Sequence, residues 1–323
     1  AKGADCDKLA AEFADELDTL GVRVAKLEKG ADAVKITGET RLRYWNFNDD
    51  GKAAGKNGSN GDQTQLRTRI WIKGQVNEDW TATTMVENTQ DFGDEDEENT
   101  TDFQRAYVNG KIGGLAVQAG RYSWADGLGG LIYDDRIDAV QVAYGKDVKL
   151  VAAAGKAADK GNYNGGDLAY VELGTKLGMV DAKAAYYNIK DNGADTCVLD
   201  GDFEVYALQA GLPIAKDLKL TGVYLFNESE NVVNDDDGYV VSLNYKKASA
   251  SKPGSWGLWA KWYDQPSGTF VAPTFEADDA GADTSFFADM TGGFEGYGVG
   301  VDYAIAKNMV AQVKYYDLEA QEG

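Results

Sequence analysis

The sequence contains no histidine, two cysteines and four prolines in 323 residues. Without histidine there is no Ser-His-Asp triad, no Cys-His pair, no HExxH zinc helix and no imidazole acid or base. Cys6 and Cys197 lie too far apart for a CxxC zinc or redox pair. No stretch approaches the ~18 consecutive apolar residues of a membrane-crossing helix; the longest apolar runs are as short as Leu150–Ala154. The start, Ala1-Lys-Gly-Ala-Asp-Cys6, lacks the apolar core of a secretory signal and reads as a mature or trimmed chain. Basic residues are few: 32 Lys and Arg against 53 Asp and Glu give a formal charge of −21. Such a balance excludes nucleic acid as a partner and docking on an anionic membrane surface. What remains is apolar enough to fold, with 43% hydrophobic and 11% aromatic residues and 39 glycines.

Two periodicities divide the chain into a segment 1–32 and a segment 33–323. In the first, Phe13, Leu17, Leu20, Val24 and Leu27 recur at alternating spacings of four and three, with charged residues between them. This is the pattern of a short coiled-coil seam or, alternatively, of an amphipathic helix lying on its own barrel, and Gly30 supplies a stop signal. From Ala33 onward the period is two: Lys35, Thr37, Glu39, Arg41 and Arg43 share one face, and Ile36, Thr40, Leu42 and Tyr44 the other. Fifteen such strands are expected: 33–46, 63–76, 80–90, 100–112, 115–122, 137–145, 148–157, 168–177, 179–189, 203–212, 218–227, 238–246, 256–264, 294–305 and 309–317.

The connections alternate between mostly tight turns, such as Gly113-Gly114, and long polar loops, such as 47–62, 123–136 and 265–293. Short turns at one end and long loops at the other predict an all-β fold, an antiparallel transmembrane barrel; a sandwich gives no reason for the asymmetry. Aromatic residues near both sets of strand ends, Tyr44/Trp45, Tyr186/Tyr187 and Tyr315/Tyr316 at one and Tyr144, Tyr245 and Trp256 at the other, predict two interfacial belts.

Charge is sorted along the chain. The long loops and the tail from Leu318 hold 30 of the 53 acids and five bases, a net −25, so that the remainder is +4. Runs such as Asp94–Glu98 read as solvated acidic loops, and no metal or cofactor is expected. Arginine follows another rule. Arg41, Arg43, Arg67 and Arg69 share the polar, inward parity of their strands, and Arg105 joins them. Arg121 and Arg136 complete the candidate pore-wall cluster, although Arg121 falls on the other parity of its strand. A row of inward guanidinium groups is prohibitive in an apolar core and tolerable in a water-filled lumen. The third long loop, Gly120 to Arg136, carries Asp126, Tyr133, Asp134 and Asp135 around an apolar, Gly-rich middle. It is expected to fold inward and set its acids against the arginines, creating a transverse field.

Two stretches resemble one family. Leu9–Leu17 and Leu20–Lys29, running into Val34-Lys-Ile-Thr-Gly-Glu39, are similar to the stalk-to-barrel junction of OmpM-type porins of diderm Firmicutes. Ala125–Asp135 is similar to their constriction loop. The resemblance implies a homotrimer of sixteen-stranded barrels in the outer membrane with a periplasmic coiled-coil stalk, in contact with outer-membrane lipid and lipopolysaccharide. Passive diffusion of small hydrophilic solutes and ions is the leading expectation; acidic loops at the mouth and arginines inside predict a weak cation preference, and without histidine no enzymatic activity is expected. The family's S-layer-homology domain, which grips peptidoglycan and tethers the outer membrane, matches no part of this sequence, so tethering is assigned to no residue here. The polar end at Gly323 leads to the expectation of a closing strand beyond it. A structural anchor and a sugar-selective channel are the competing readings.

Overall fold

The computed structural model describes residues 13, 33–46, 62–92, 100–125, 127–158, 166–190, 202–228, 237–270 and 293–321. Among these residues fifteen strands form one antiparallel sheet in sequence order. The first five are β1 (Val34–Asn46), β2 (Asp62–Gln75), β3 (Thr81–Phe92), β4 (Thr100–Ile112) and β5 (Leu115–Ala125). The middle five are β6 (Asp134–Tyr144), β7 (Val148–Ala157), β8 (Asp167–Leu177), β9 (Val180–Lys190) and β10 (Asp202–Ala215). The last five are β11 (Leu218–Asn227), β12 (Asp237–Lys246), β13 (Trp256–Pro266), β14 (Gly293–Ala306) and β15 (Met309–Ala320). A single 3-10 turn, Ser267–Thr269, follows β13.

All fifteen expected strands are present, with ends displaced by a few residues. At the third long loop both flanking strands extend by three residues. Ser123, Trp124 and Ala125 pair with Arg136, Asp135 and Asp134, so these three polar residues open β6 instead of lying in the loop. The tight turns at the opposite end use left-handed backbone: Gly178 has φ 64°, Asp217 61° and Asn308 63°. Such turns match the twist of the strands that they join.

β1 and β15 are the two edges of the sheet, and the expected sixteenth strand is not among the described residues. The sheet nevertheless curls on itself. Lys314 on β15 interacts electrostatically with Arg41 and Arg43 on β1, at the far end of the strand order. The stalk positions Leu17, Leu20, Val24 and Leu27 lie outside the described residues, and Phe13 is exposed.

Parity assigns each side chain to the outer or inner face. Outward rows are apolar and open to the surroundings: Leu42 is 67% exposed, Val140 53%, Leu208 52% and Val313 68%. A largely apolar outer surface of this kind suits hydrocarbon and not water. Aromatic pairs split between the faces. Tyr44, Tyr186, Trp262 and Tyr315 are on the outside, whereas their neighbours Trp45, Tyr187, Tyr263 and Tyr316 point inward. The belts are therefore thinner than the residue count predicted, because consecutive rings in a strand cannot share a face. Tyr186, Tyr206 and Phe226 form an outer chain with centroids 4.9 and 5.0 Å apart, and Tyr245 meets Trp256 at 5.6 Å near the short turns.

The faces of β12 provide a direct check of this assignment. Leu243→Arg, on the outer row, is expected to cost about 2–4 kcal/mol, read from guanidinium unfolding of the protein in lipid vesicles. Ser242→Arg, one residue away and facing inward, is expected to leave the unfolding midpoint near that of the unsubstituted chain.

Candidate functional site

The inner face is divided in two. Over β1–β4 it is polar and basic: Arg41, Arg43, Arg67, Arg69 and Arg105 all share the inward parity. Their acids come from neighbouring strands. Arg69 is hydrogen-bonded through Nε to Glu87 on β3 and reaches Glu39 on β1 at 3.4 Å. Arg67 stands 3.9 Å from the same Glu87 oxygen. Two guanidinium groups also rest on indole rings, Arg43 5.2 Å from the Trp45 centroid and Arg105 5.1 Å from that of Trp71. These contacts hold the long side chains against the wall.

Across β6–β14 a large part of the inner face is instead apolar. Val151, Leu168, Tyr170, Tyr187, Phe203, Val205, Leu225, Val240 and Tyr263 belong to one buried cluster, although they point into the barrel. The partner of this surface is the connection between β5 and β6. Its Leu128, Leu131, Ile132 and Tyr133 are all buried in the same cluster. Because water is excluded on both sides, the contact stabilises the loop as a core stabilises a domain, about 1.5–3 kcal/mol for each large side chain.

Polar anchors fix the loop where packing alone would let it slide. Lys183 on β9 donates to the carbonyl of Gly127 and pairs with Glu172 on β8 at 3.4 Å. Glu172 is buried and also accepts a 2.6 Å bond from the Tyr170 hydroxyl. A Cβ on residue 127 would overlap the Glu172 carboxylate, so only glycine permits this approach. Gln265, at the end of β13, donates to the carbonyl of Leu131 at 3.1 Å, tying the loop to the wall 134 residues further on. The Tyr133 hydroxyl donates to the carbonyl of Arg136 at 2.7 Å and accepts from the Ala158 amide at 3.0 Å.

The structure redistributes the residues singled out in the sequence. Asp126 lies outside the described residues. Tyr133 is a fully buried anchor of the loop. Asp135 interacts electrostatically with Arg105, and its carboxylate accepts from the Arg136 amide at 2.6 Å. Asp134, beside it, starts the β6 ladder. Arg121 and Arg136 leave the cluster. Arg121 pairs across the ladder with outward Asp138 and binds it through two bonds of 2.7 and 2.6 Å. Arg136 shares that outward row and donates to Gln104. Glu87, Glu172, Lys183 and Gln265 were not anticipated. Glu87 could have been found by extending the inward parity of the arginines to β3, whereas the others need the three-dimensional position of the loop.

No family model matches the chain, and no curated protein matches it by sequence. Solved structures do match. Salmonella typhi OmpF in complex with daunomycin is 16% identical, over 88% of this chain and 89% of its own, with a TM-score of 0.55. A mutant of Rh. blastica porin is 14% identical, over 88% of this chain and 94% of its own, with a TM-score of 0.52. The chain thus has the fold of a porin-type antiparallel barrel, to which these neighbours are similar across nearly their whole length.

The anchoring of the loop generates a specific expectation. Lys183→Met leaves the buried Glu172 carboxylate without its cation, a loss of about 3–5 kcal/mol, and frees the Gly127 carbonyl. Amide hydrogen exchange over 127–133 is expected to accelerate, while exchange in β11 is unchanged. Adding Glu172→Gln to Lys183→Met is expected to restore most of the protection, because the buried charge is then gone.

Proposed function

We propose that this chain is a general diffusion porin of the outer membrane, passing small hydrophilic solutes and ions with a weak preference for cations. The observation that carries the reading is the coexistence of an apolar outer band with an inner row of arginines. Hydrocarbon outside and charge inside require water in the lumen. The inward loop covers the apolar part of the inner wall and so confines the water path to the basic part. The acidic long loops concentrate cations at one mouth, and the arginines inside oppose them, which makes the net preference weak.

The outer face also supports a homotrimer. Thr40 and Thr68 lie 3.4 Å apart, and Asn88 donates to Thr101 at 2.8 Å, so that a hydrogen-bonded polar row crosses β1–β4 on the side turned away from the lumen. Hydrocarbon disfavours this row, whereas a second copy of the chain covers it with matching groups. In the same reading the remaining outer surface meets lipid and, on the long-loop side, lipopolysaccharide. Residues 1–32 are assigned, in the same reading, to the periplasmic stalk of an OmpM-type porin. No catalytic role is assigned.

Reversal potentials in a tenfold KCl gradient test the selectivity. The dilute side is expected to become positive by much less than the ideal limit of about 59 mV. A negative dilute side, which signals anion selectivity, contradicts the reading. Gel migration with and without boiling tests assembly: a slow unboiled band that collapses to a single-chain band on heating is expected, and identical migration contradicts a stable barrel trimer.

A further inference from the structure

The inner face of β13–β15 carries a group of side chains that the wall has no structural need for. Register sets Trp259, Gly300 and Lys314 side by side across the three strands, and Lys261, Gly298 and Tyr316 in the next inward row. The two glycines on the middle strand leave space for rings. A Cβ at Gly300 would overlap the Trp259 indole, and one at Gly298 would overlap the Tyr316 ring. Both rings therefore lie down over the strand and tile it, with centroids 5.8 Å apart and planes inclined by 44°. Both are half-buried, so each keeps surface open toward the lumen.

Cations surround this aromatic floor. Lys261 Nζ stands 5.8 Å from the Trp259 centroid, at the outer limit of a cation–π contact. Arg43, Lys261 and Arg41 are among the charges that act on Lys314. Arg43 also acts on Tyr316. Arg67 and Arg69, one strand further, are engaged by Glu87 and Glu39. The wall thus concentrates positive charge beside an aromatic surface made of two inclined rings.

We propose that this patch is a solute subsite for a phosphorylated monosaccharide. The hydrocarbon face of a pyranose packs on the Trp259 and Tyr316 rings, and the phosphate, with a charge of about −1.5 to −2 and three acceptor oxygens, sits among Lys261, Lys314 and Arg43. A neutral sugar makes no use of the cations, and inorganic phosphate makes no use of the floor. The subsite rests on the channel reading and refines it: acidic loops bias the mouth toward cations, and this patch retains one class of anion within the lumen.

The test uses the full chain reconstituted in a planar bilayer in KCl. Glucose 6-phosphate is expected to interrupt the current with events at least tenfold longer than glucose or inorganic phosphate at the same concentration. Trp259→Ala and Lys261→Gln are each expected to shorten these events about tenfold while the KCl current persists. Gly300→Ala, which keeps the indole but pushes it off the floor, is expected to do the same. A conducting chain that glucose or phosphate interrupts equally, or whose events survive Trp259→Ala and Lys261→Gln, overturns the subsite alone. A chain that gives no KCl current overturns the channel reading and the subsite with it.

Discussion

The period of two along each strand is the constraint on which the rest of this molecule depends. Hydrocarbon admits no unpaired backbone group, so a spanning sheet must satisfy its hydrogen bonds from strand to strand and curl toward closure. Once that is so, neighbouring residues face opposite surroundings, and a strand can be apolar on one side without regard to the other. Ile70 and Ile72 lie outside on the strand that holds Arg67 and Arg69 inside. The chain can thus be acidic overall, basic along its inner wall and apolar on its outer surface.

The inner wall then uses that freedom in two ways. Over β1–β4 and β15 it carries cations that only water can solvate. Over much of β6–β13 it carries Val, Leu, Phe and Tyr that only another apolar surface can cover, and Leu128, Leu131 and Ile132 provide it. Lys183 and Gln265 bond to loop carbonyls at either end of this contact, converting an apolar adhesion into a fixed position. The short segment after β13 joins the same buried cluster through Phe270, which meets Phe294 at 5.2 Å. One half of the interior is filled and the other is left to water.

Much of this was legible before the structure. Strand number, turn asymmetry and the inward parity of Arg41, Arg43, Arg67, Arg69 and Arg105 all follow from alternation, which is local. The failures are non-local. Arg136 and Asp135 read as loop residues because nothing nearby shows that Ser123 and Trp124 continue the ladder to meet them. Tyr133 was legible as a member of the inward loop but not as its buried anchor, because that burial depends on Trp124 and on the Ala158 amide. The apolar inner half was missed for a related reason: Val151, Leu168 and Phe203 sit on strands that are apolar on both faces, where alternation fades and parity says nothing about what a face touches.

The division of the interior is the central claim, and thiol accessibility tests it most directly. In a chain carrying Cys6→Ser and Cys197→Ser, single cysteines are placed at Gln312, exposed on the inner face of β15, and at Ala207, fully buried on the inner face of β10. A charged methanethiosulfonate reagent added to the open channel is expected to change the current of Gln312→Cys within seconds to minutes and to leave that of Ala207→Cys unaltered. Equal modification of both, or modification of Ala207→Cys alone, would contradict an interior with one half filled and one half open.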